Sequence, residues 1–447
     1  MRHLYLYFRE VCIYTFAGFV FAFSRIYSTL YIEIGLSEMN SYKRWFADIL
    51  RQSLKVRRVA VISGARQCGK TTLAKQMVSE KVIYKTLDDV TLLKAAQDDP
   101  QSFIKTTADT FIIDEIQKAP DLLPSIKLVV DQNNRPGQFL LTGSADIRKL
   151  PQVSESLAGR IKNIHLRTLS YGEILGNQPN FMERLFKRDF LDQIKGYDKR
   201  KVVEIAFAGG YPEPLALQST RYRKSWFNDY VDTLISKDLR DISNIKRVSV
   251  LKELVKILAA WSSKFLDIPD LCGKLSISRQ TFDSYLNALE SLYLFERVPS
   301  WIKTDYARVG KKDKLFIADT GLMASLLNWN QEEVLLNPDR AGKLVETLVY
   351  HELSIQSEMY DAKIFHYRDR ENREVDFVVE SENEQIACIE VKAGSAISKS
   401  DFKHLEWFRK NIVKDRDVIT IILYTGENSL SFGDGLLAVP LAALWEG

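Results

Sequence analysis

The chain has 447 residues, 46% of them hydrophobic and 27% charged, with a formal net charge of +4. That length is too great for one core and predicts several domains, while the composition excludes collagenous, low-complexity and disulfide-stapled classes. A charge this close to balance gives only weak attraction of the whole molecule to nucleic acid, so contact with DNA would have to come from local patches.

Residues 11–23 are strongly apolar and aromatic and are bounded by Arg9 and Arg25. A bilayer-crossing helix needs about twenty residues, so no stable transmembrane anchor is expected. A signal peptide has the right hydrophobic length, but no small-residue cleavage site follows. An amphipathic membrane-surface anchor is a second alternative. The preferred reading makes residues 1–40 a leader with a mis-assigned start and Met39 the true one, because 42–55 reads as an amphipathic helix feeding the next element.

An apolar, β-branched run at 59–62 precedes Gly64-Ala65-Arg66-Gln67-Cys68-Gly69-Lys70-Thr71, and Thr72 leads into a helical pattern. Strand, glycine-rich loop and helix in that order form a phosphate-binding loop: the backbone N–H groups curl around a phosphate and the helix adds the positive end of its dipole. Lys70 would reach the β- and γ-phosphates, and the Thr71 hydroxyl would ligate Mg²⁺. Cys12, Cys68, Cys272 and Cys388 show no metal-ligand spacing, which predicts a reducing, cytoplasmic setting and no zinc. Cys68 lies inside the loop, where modification of its thiol would block nucleotide binding.

Further strand-like runs at 82–86, 111–113, 138–141 and 163–166, separated by helical patterns, predict a parallel sheet covered on both faces. The run at 111–113 ends in Asp114-Glu115. Asp114 suits the surroundings of Mg²⁺, and Glu115 would polarise the water that attacks the γ-phosphate. Thr142 or Ser144, closing the next run, would sense the γ-phosphate or orient that water; a plain turn is the alternative. Arg160 is the candidate for an arginine that stabilises transition-state charge, in cis or across a subunit contact, and a surface arginine is its alternative.

From 181 to 246 the pattern turns helical and charged, broken by Gly209-Gly210-Tyr211-Pro212-Glu213-Pro214, which reads as a rigid turn between helices. Trp226, Phe227, Tyr230 and Leu234 then repeat at helical spacing and read as a core stripe. Residues 250–299 give helix, helix, helix and strand. Ser278 is the expected N-cap of the third helix, with Arg279, Gln280 and Ser284 exposed on its leading turns. That order is the layout of a winged helix-turn-helix, which contacts DNA in some settings and proteins in others.

A strand at 315–319 ends in Asp319 and is followed by a turn at Thr320-Gly321. A helix at 342–353 carries Glu346, and strands follow at 364–368, 374–379 and 386–392. Period-two alternation puts Glu390 and Lys392 on one face of the last strand, with Asp376 opposite on its neighbour. Carboxylates and a lysine converging there would bind Mg²⁺ and hold a water for attack on a phosphodiester, with Glu346 joining from the helix. A half-exposed strand alternates charge without catalytic purpose as well.

On residues 64–71, 112–115, 141–144, 157–160, 209–212, the helix-turn-helix and 390–392, the chain resembles the prokaryotic AAA-type ATPases. In these a P-loop domain precedes a winged-helix region and a carboxyl-terminal domain similar to PD-(D/E)XK nucleases. The resemblance covers residue 42 to the end. It implies an α/β fold with these parts: a P-loop NTPase domain of parallel sheet and flanking helices at 41–175, a helical linker at 176–248, a winged helix-turn-helix at 249–305, and an α/β nuclease-like domain at 306–447. It also implies ATP binding with Mg²⁺ and hydrolysis, through Lys70, Thr71, Asp114 and Glu115. Val375 stands where such nuclease sites often carry proline.

The leading expectation is therefore an ATPase that couples nucleotide state to rearrangement of its carboxyl-terminal domains, on or near DNA, with a protein partner or a second copy as further expected contacts. A slow nucleotide-gated interaction protein with an inert nuclease-like domain is the first alternative, and an ATP-gated, metal-dependent DNA nuclease the second.

Overall fold

The computed structural model describes residues 42–144, 159–190, 196–239, 247–302, 312–414 and 416–446. The leader and Met39 lie outside them. Residues 44–447 form one compact unit.

Its first sheet is wholly parallel, with strands β1 (Val59–Ser63), β2 (Val82–Thr86), β3 (Thr110–Asp114), β4 (Phe139–Gly143) and β5 (Ile161–His165) in the order β2-β3-β4-β1-β5. The central strands β1, β3 and β4 are buried on both faces, which explains their continuous apolar runs, whereas the edge strands β2 and β5 are mostly only partly buried. Alternate residues Val59, Val61, Phe111, Ile113, Phe139 and Leu141 pack under the Leu122–Gln132 helix. Ala60, Ile62, Ile112, Leu140 and Ile164 face the other way, into a core continuous with the rest of the molecule. Because β4 lies between β1 and β3, the carboxyl ends of the loop strand, the Asp114 strand and the Thr142 strand converge.

Helices Val248–Ala260, Ile268–Leu275 and Arg279–Ser291 follow, and Ser278 caps the last by accepting from the Thr281 N–H at 3.1 Å. Their sheet is antiparallel, β6 (Lys264–Phe265), β8 (Lys314–Ile317) and β7 (Phe295–Val298) in that order. The strand expected to open the carboxyl-terminal domain is thus the central strand of this small sheet. The expected turn at Thr320-Gly321 is likewise the start of a helix, Thr320–Leu326, because Asp319 accepts from the Leu322 N–H at 2.9 Å and caps it.

The last part is built on the helix Pro338–Met359, capped by Asn337 and started by a proline that has no N–H to lose. Strands β9 (Lys363–Arg368), β10 (Glu374–Glu380) and β11 (Ile386–Lys392) form an antiparallel meander. Helix Lys403–Asn411 then leads to β12 (Val418–Tyr424), which is parallel to β11. Short β13 (Leu430–Ser431) and β14 (Leu436–Pro440) complete the order β13-β14-β12-β11-β10-β9. Phe377, Val379, Ala387 and Ile389 pack toward the long helix, and Val378, Ile386 and Cys388 pack under Phe402, Leu405 and Phe408.

The turn at 209–214 does more than separate helices. A Cβ on Gly210 would sit 2.2 Å from the Leu169 carbonyl oxygen, and the two backbones are joined by Leu169 N–H donating to the Gly210 carbonyl at 2.7 Å. Gly210→Ala should therefore force the backbones apart and cost about 1–3 kcal/mol. A thermal unfolding midpoint equal to that of the wild type would contradict this close approach.

Candidate active site

The loop after β1 is shaped by Gly69, whose φ of +103° puts it in the region that favours glycine. Helix Lys70–Lys75 starts directly after it. Lys70 is 4% exposed, and its ammonium donates to the carbonyls of Gly64 at 3.0 Å and Ala65 at 2.7 Å. The Thr71 hydroxyl donates to the Asp114 carboxylate at 3.1 and 3.0 Å, and the Tyr84 hydroxyl donates to it at 2.8 Å. Burial, then Asp114, raises the Tyr84 pKa, so this hydroxyl keeps its proton. Asp114 is 2% exposed, and its remaining partner is the buried Thr142 hydroxyl.

Glu115 leaves the strand in a left-handed conformation, φ +59°, which turns its side chain out of the β3 alternation. Its N–H donates to the Thr142 Oγ at 3.1 Å. Its carboxylate accepts from Gln117 and from the Ser144 hydroxyl at 3.3 Å. Thr142 and Ser144 thus serve different acids: Thr142 touches Asp114, and Ser144 touches Glu115. The structure brings Lys70, Thr71, Asp114, Glu115, Thr142 and Ser144 to one edge of the sheet.

Arg160 is elsewhere. It precedes β5 beside the start of β1, where the Val59 N–H donates to its carbonyl, and its guanidinium pairs with Asp131 at 3.0 Å. The length of β1, roughly 13 Å at about 3.3 Å per residue, separates it from the loop end of the same strand. Action in cis on a nucleotide at that loop is therefore corrected. Cys68 is corrected too: it is fully buried, and its thiol donates to the Leu166 carbonyl at 3.2 Å, closed off from reagents.

The sequence reading missed what holds the loop from behind. Buried Arg44 donates to the Cys68 carbonyl at 2.7 Å, to the Arg167 carbonyl at 2.7 Å and to Glu173 at 3.0 Å. Tyr230 donates to the Arg66 carbonyl at 3.2 Å, so a residue read as core also touches the loop, and it shares a 3.0 Å hydrogen bond with Tyr211 of the 209–214 turn. Gly210 N–H and the Thr168 hydroxyl donate to Asp319 at 2.7 and 3.2 Å. The Ser170 hydroxyl donates to Glu352 at 2.7 Å, and Arg167 donates to Glu358 at 2.7 Å and Glu296 at 2.8 Å. The segment leaving β5 is thereby tied both to the loop and to the Pro338–Met359 helix.

A second cluster lies between β8, β10, β11 and that helix. It contains Asp376, Glu390, Lys392 and Glu346, with Lys392 donating to Glu390 at 3.0 Å. Two members were missed: Glu374, and Lys314 of β8, which is 1% exposed and pairs with Glu346, Glu374 and Asp376 at 2.5, 2.8 and 3.1 Å. Burial pushes Glu346 and Glu390 up to about 8 against the pull of Lys314 and Lys392 respectively, while three carboxylates outweigh burial and raise Lys314. Among the described residues no group of three or more His, Cys, Asp or Glu is placed to hold a metal ion.

Residues 56–175 match a family model described as an AAA domain. The chain carries an AAA-type P-loop ATPase domain. Outside the AAA domain, residues 199–333 and 341–444 match two models, each described as a domain of unknown function. An uncharacterized protein of Mycobacterium tuberculosis is 25% identical over 401 residues, which cover 89% of this chain and 83% of that one. Another, from Methanocaldococcus jannaschii, is 24% identical over 418 residues, covering 89% and 90%. Among solved structures, a point variant of Thermotoga maritima RuvB shares 17% identity, with a TM-score of 0.26 over 57% of this chain and 86% of that one. No described helix is long and apolar enough to cross a membrane.

The link between the AAA domain and the remainder should be sensitive to acid. Burial would raise Glu296, but Arg167, followed by His165 and the Tyr350 hydroxyl, outweighs it and holds this carboxyl at about 2. A carboxyl depressed in the folded state contributes stability that is complete above its unfolded pKa and is lost as pH falls through the folded one. The contribution, on the order of 3 kcal/mol, should therefore disappear between about pH 5 and pH 2. Glu296→Gln should flatten the wild-type stability loss on acidification, measured as urea midpoints against pH. Parallel curves for the two proteins would refute the assignment.

Proposed function

We propose that the protein binds ATP with Mg²⁺ at residues 64–71, hydrolyses it, and passes the nucleotide state to its carboxyl-terminal half. The observation that carries the reading is the continuous set of hydrogen bonds from Thr71 through Asp114 and Thr142 to Glu115. The donor set fits the metal: Thr71 and Asp114 place a hydroxyl and a carboxylate side by side at the end of the loop, the hard oxygen ligands that Mg²⁺ takes. When bound, the metal neutralises charge on the phosphates.

The chain's own residues supply the rest. Lys70 exchanges its two carbonyl partners for phosphate oxygens. Glu115 accepts the proton of the water that attacks the γ-phosphorus, while the bond from that phosphorus to the bridging oxygen breaks and ADP keeps the oxygen. Thr142 fixes Asp114 and the Glu115 backbone, and Ser144 and Gln117 fix the Glu115 carboxylate. Movement at Arg66 has a route outward through Tyr230, Tyr211 and Gly210 to Asp319.

Lys70→Ala should abolish ATP binding in calorimetry. Glu115→Gln should keep binding and slow hydrolysis by about 10²–10⁴-fold. Turnover unchanged in the second variant would remove Glu115 from the mechanism.

Action on DNA is the finer part of the proposal and rests on the winged helix-turn-helix reading, whose exposed leading turn carries Arg279, Gln280 and Ser284. One observation favours the alternative, a nucleotide-gated protein contact at the same face. Arg279, Lys274 and Arg297 are each paired with an acid of the same unit, Asp283, Asp270 and Glu290. Phosphate contact there would have to exchange those pairs. Duplex affinity falling steeply between about 50 and 200 mM salt and weakening in Arg279→Ala would favour DNA. Absence of salt-dependent binding would favour the protein contact.

A further inference from the structure

We infer that Lys314 is a built-in cation that occupies the place a divalent metal would take in the carboxyl-terminal acidic cluster, so that this nuclease-like sheet takes no metal and its charges instead clasp β8 to the long helix and β10. The inference goes beyond the ATPase reading and does not depend on it.

The geometry separates a metal site from an internal ion pair. A divalent metal needs several oxygens with lone pairs turned to a common point. Here that point holds an ammonium, 2.5 Å from Glu346 Oε1, 2.8 Å from Glu374 Oε1 and 3.1 Å from Asp376 Oδ1. The second oxygen of Asp376 is committed as well, accepting from the Val391 N–H at 2.9 Å. On Glu390, Oε1 accepts from Lys392 at 3.0 Å, while Oε2 is shielded from solvent with no hydrogen-bond partner among the described residues. Asp376 and Glu390 flank the Phe377–Ile389 pair on the neighbouring strands β10 and β11, and the positive charge between Asp376 and Glu346 is the chain's own.

Lys314 is fixed there rather than visiting. It lies on the central strand of the three-stranded sheet, registered against Phe265 of β6 and Val298 of β7. Its ammonium is 5.7 Å from the centre of the Phe265 ring. At 1% exposure, with three acids around it, the ammonium is shielded from water. Replacing it by an apolar residue of similar length leaves four clustered acids, Glu346, Glu374, Asp376 and Glu390, which must then take protons or recruit a cation.

The test uses the full chain without nucleotide and Mn²⁺ alone, followed by electron paramagnetic resonance of the free ion. Wild type and Asp376→Asn should bind Mn²⁺ identically, because any binding at Thr71 and Asp114 is common to both. Lys314→Met should bind Mn²⁺ on the order of tenfold more tightly or more at a site that Lys314→Met combined with Asp376→Asn abolishes. Wild-type Mn²⁺ binding that Asp376→Asn removes would overturn the inference. So would a folded Lys314→Met protein that gains none. Should Lys314→Met fail to fold, the comparison of wild type with Asp376→Asn still decides, and Lys314→Gln repeats the gain-of-binding arm with a side chain that keeps a hydrogen-bond donor.

Discussion

The segment from Arg167 to Glu173 is where the two halves of the molecule become one body. It leaves the sheet next to the strand that carries the phosphate loop, and its groups are shared in both directions. Arg44 binds the Cys68 and Arg167 carbonyls and Glu173, so the back of the loop and this segment are held by one guanidinium. On the far side, Thr168, Ser170 and Arg167 reach Asp319, Glu352, Glu296 and Glu358. Thr168, Ser170, Asp319 and Glu352 are buried, where an unmatched charge or hydroxyl would cost several kcal/mol, on the order of 3–5 for a broken buried pair. The segment therefore cannot shift relative to one half without disturbing bonds to the other.

That constraint gives the buried polar residues of the Pro338–Met359 helix a reason to exist. A helix hydrophobic on all sides would pack as well, but His351, Glu352 and Gln356 are buried along it. His351 lies 3.2 Å from the Leu169 carbonyl, and Gln356 bridges the Phe181 N–H and the Leu444 carbonyl. Polar groups in such places fix register, since only one placement of the helix satisfies all of them. The same helix presents Glu346 to Lys314 one face away. Nucleotide-side and cluster-side contacts thus share a single rigid element.

Much of the fold was legible in the sequence because the parallel strands are short apolar runs with clear ends, and because the loop glycines and the Asp-Glu pair mark the carboxyl edge of the sheet. Strand alternation likewise placed Glu390, Lys392 and Asp376 together. What escaped was what alternation does not encode. Lys314 and Glu374 enter the acidic cluster from strands whose own patterns say nothing about partners some sixty residues apart in the chain. Asp319 read as a strand end because capping and strand termination use the same residue, and only the bonds to Gly210 and Leu322 distinguish them. Arg160 was credited to the site for its chemistry, whereas position along β5 sets its distance. No strand was read beyond residue 392, although β12 is a continuous apolar, β-branched run, buried throughout and central to the second sheet.

The two acidic centres show how one residue chemistry serves opposite ends. Among the described residues, the Asp114 carboxylate meets only hydroxyl side chains, those of Thr71, Tyr84 and Thr142. Hydroxyls are neutral and can turn, so the negative charge stays available to a cation brought in with phosphate. At Asp376 one carboxylate oxygen faces a fixed ammonium and the other a backbone N–H, both held by strand register. A carboxylate answered by neutral, rotatable donors remains a binding group, and one answered by an immobile charge becomes part of the scaffold. That criterion underlies both proposals, a metal held at the end of β3 and none at the face of β10.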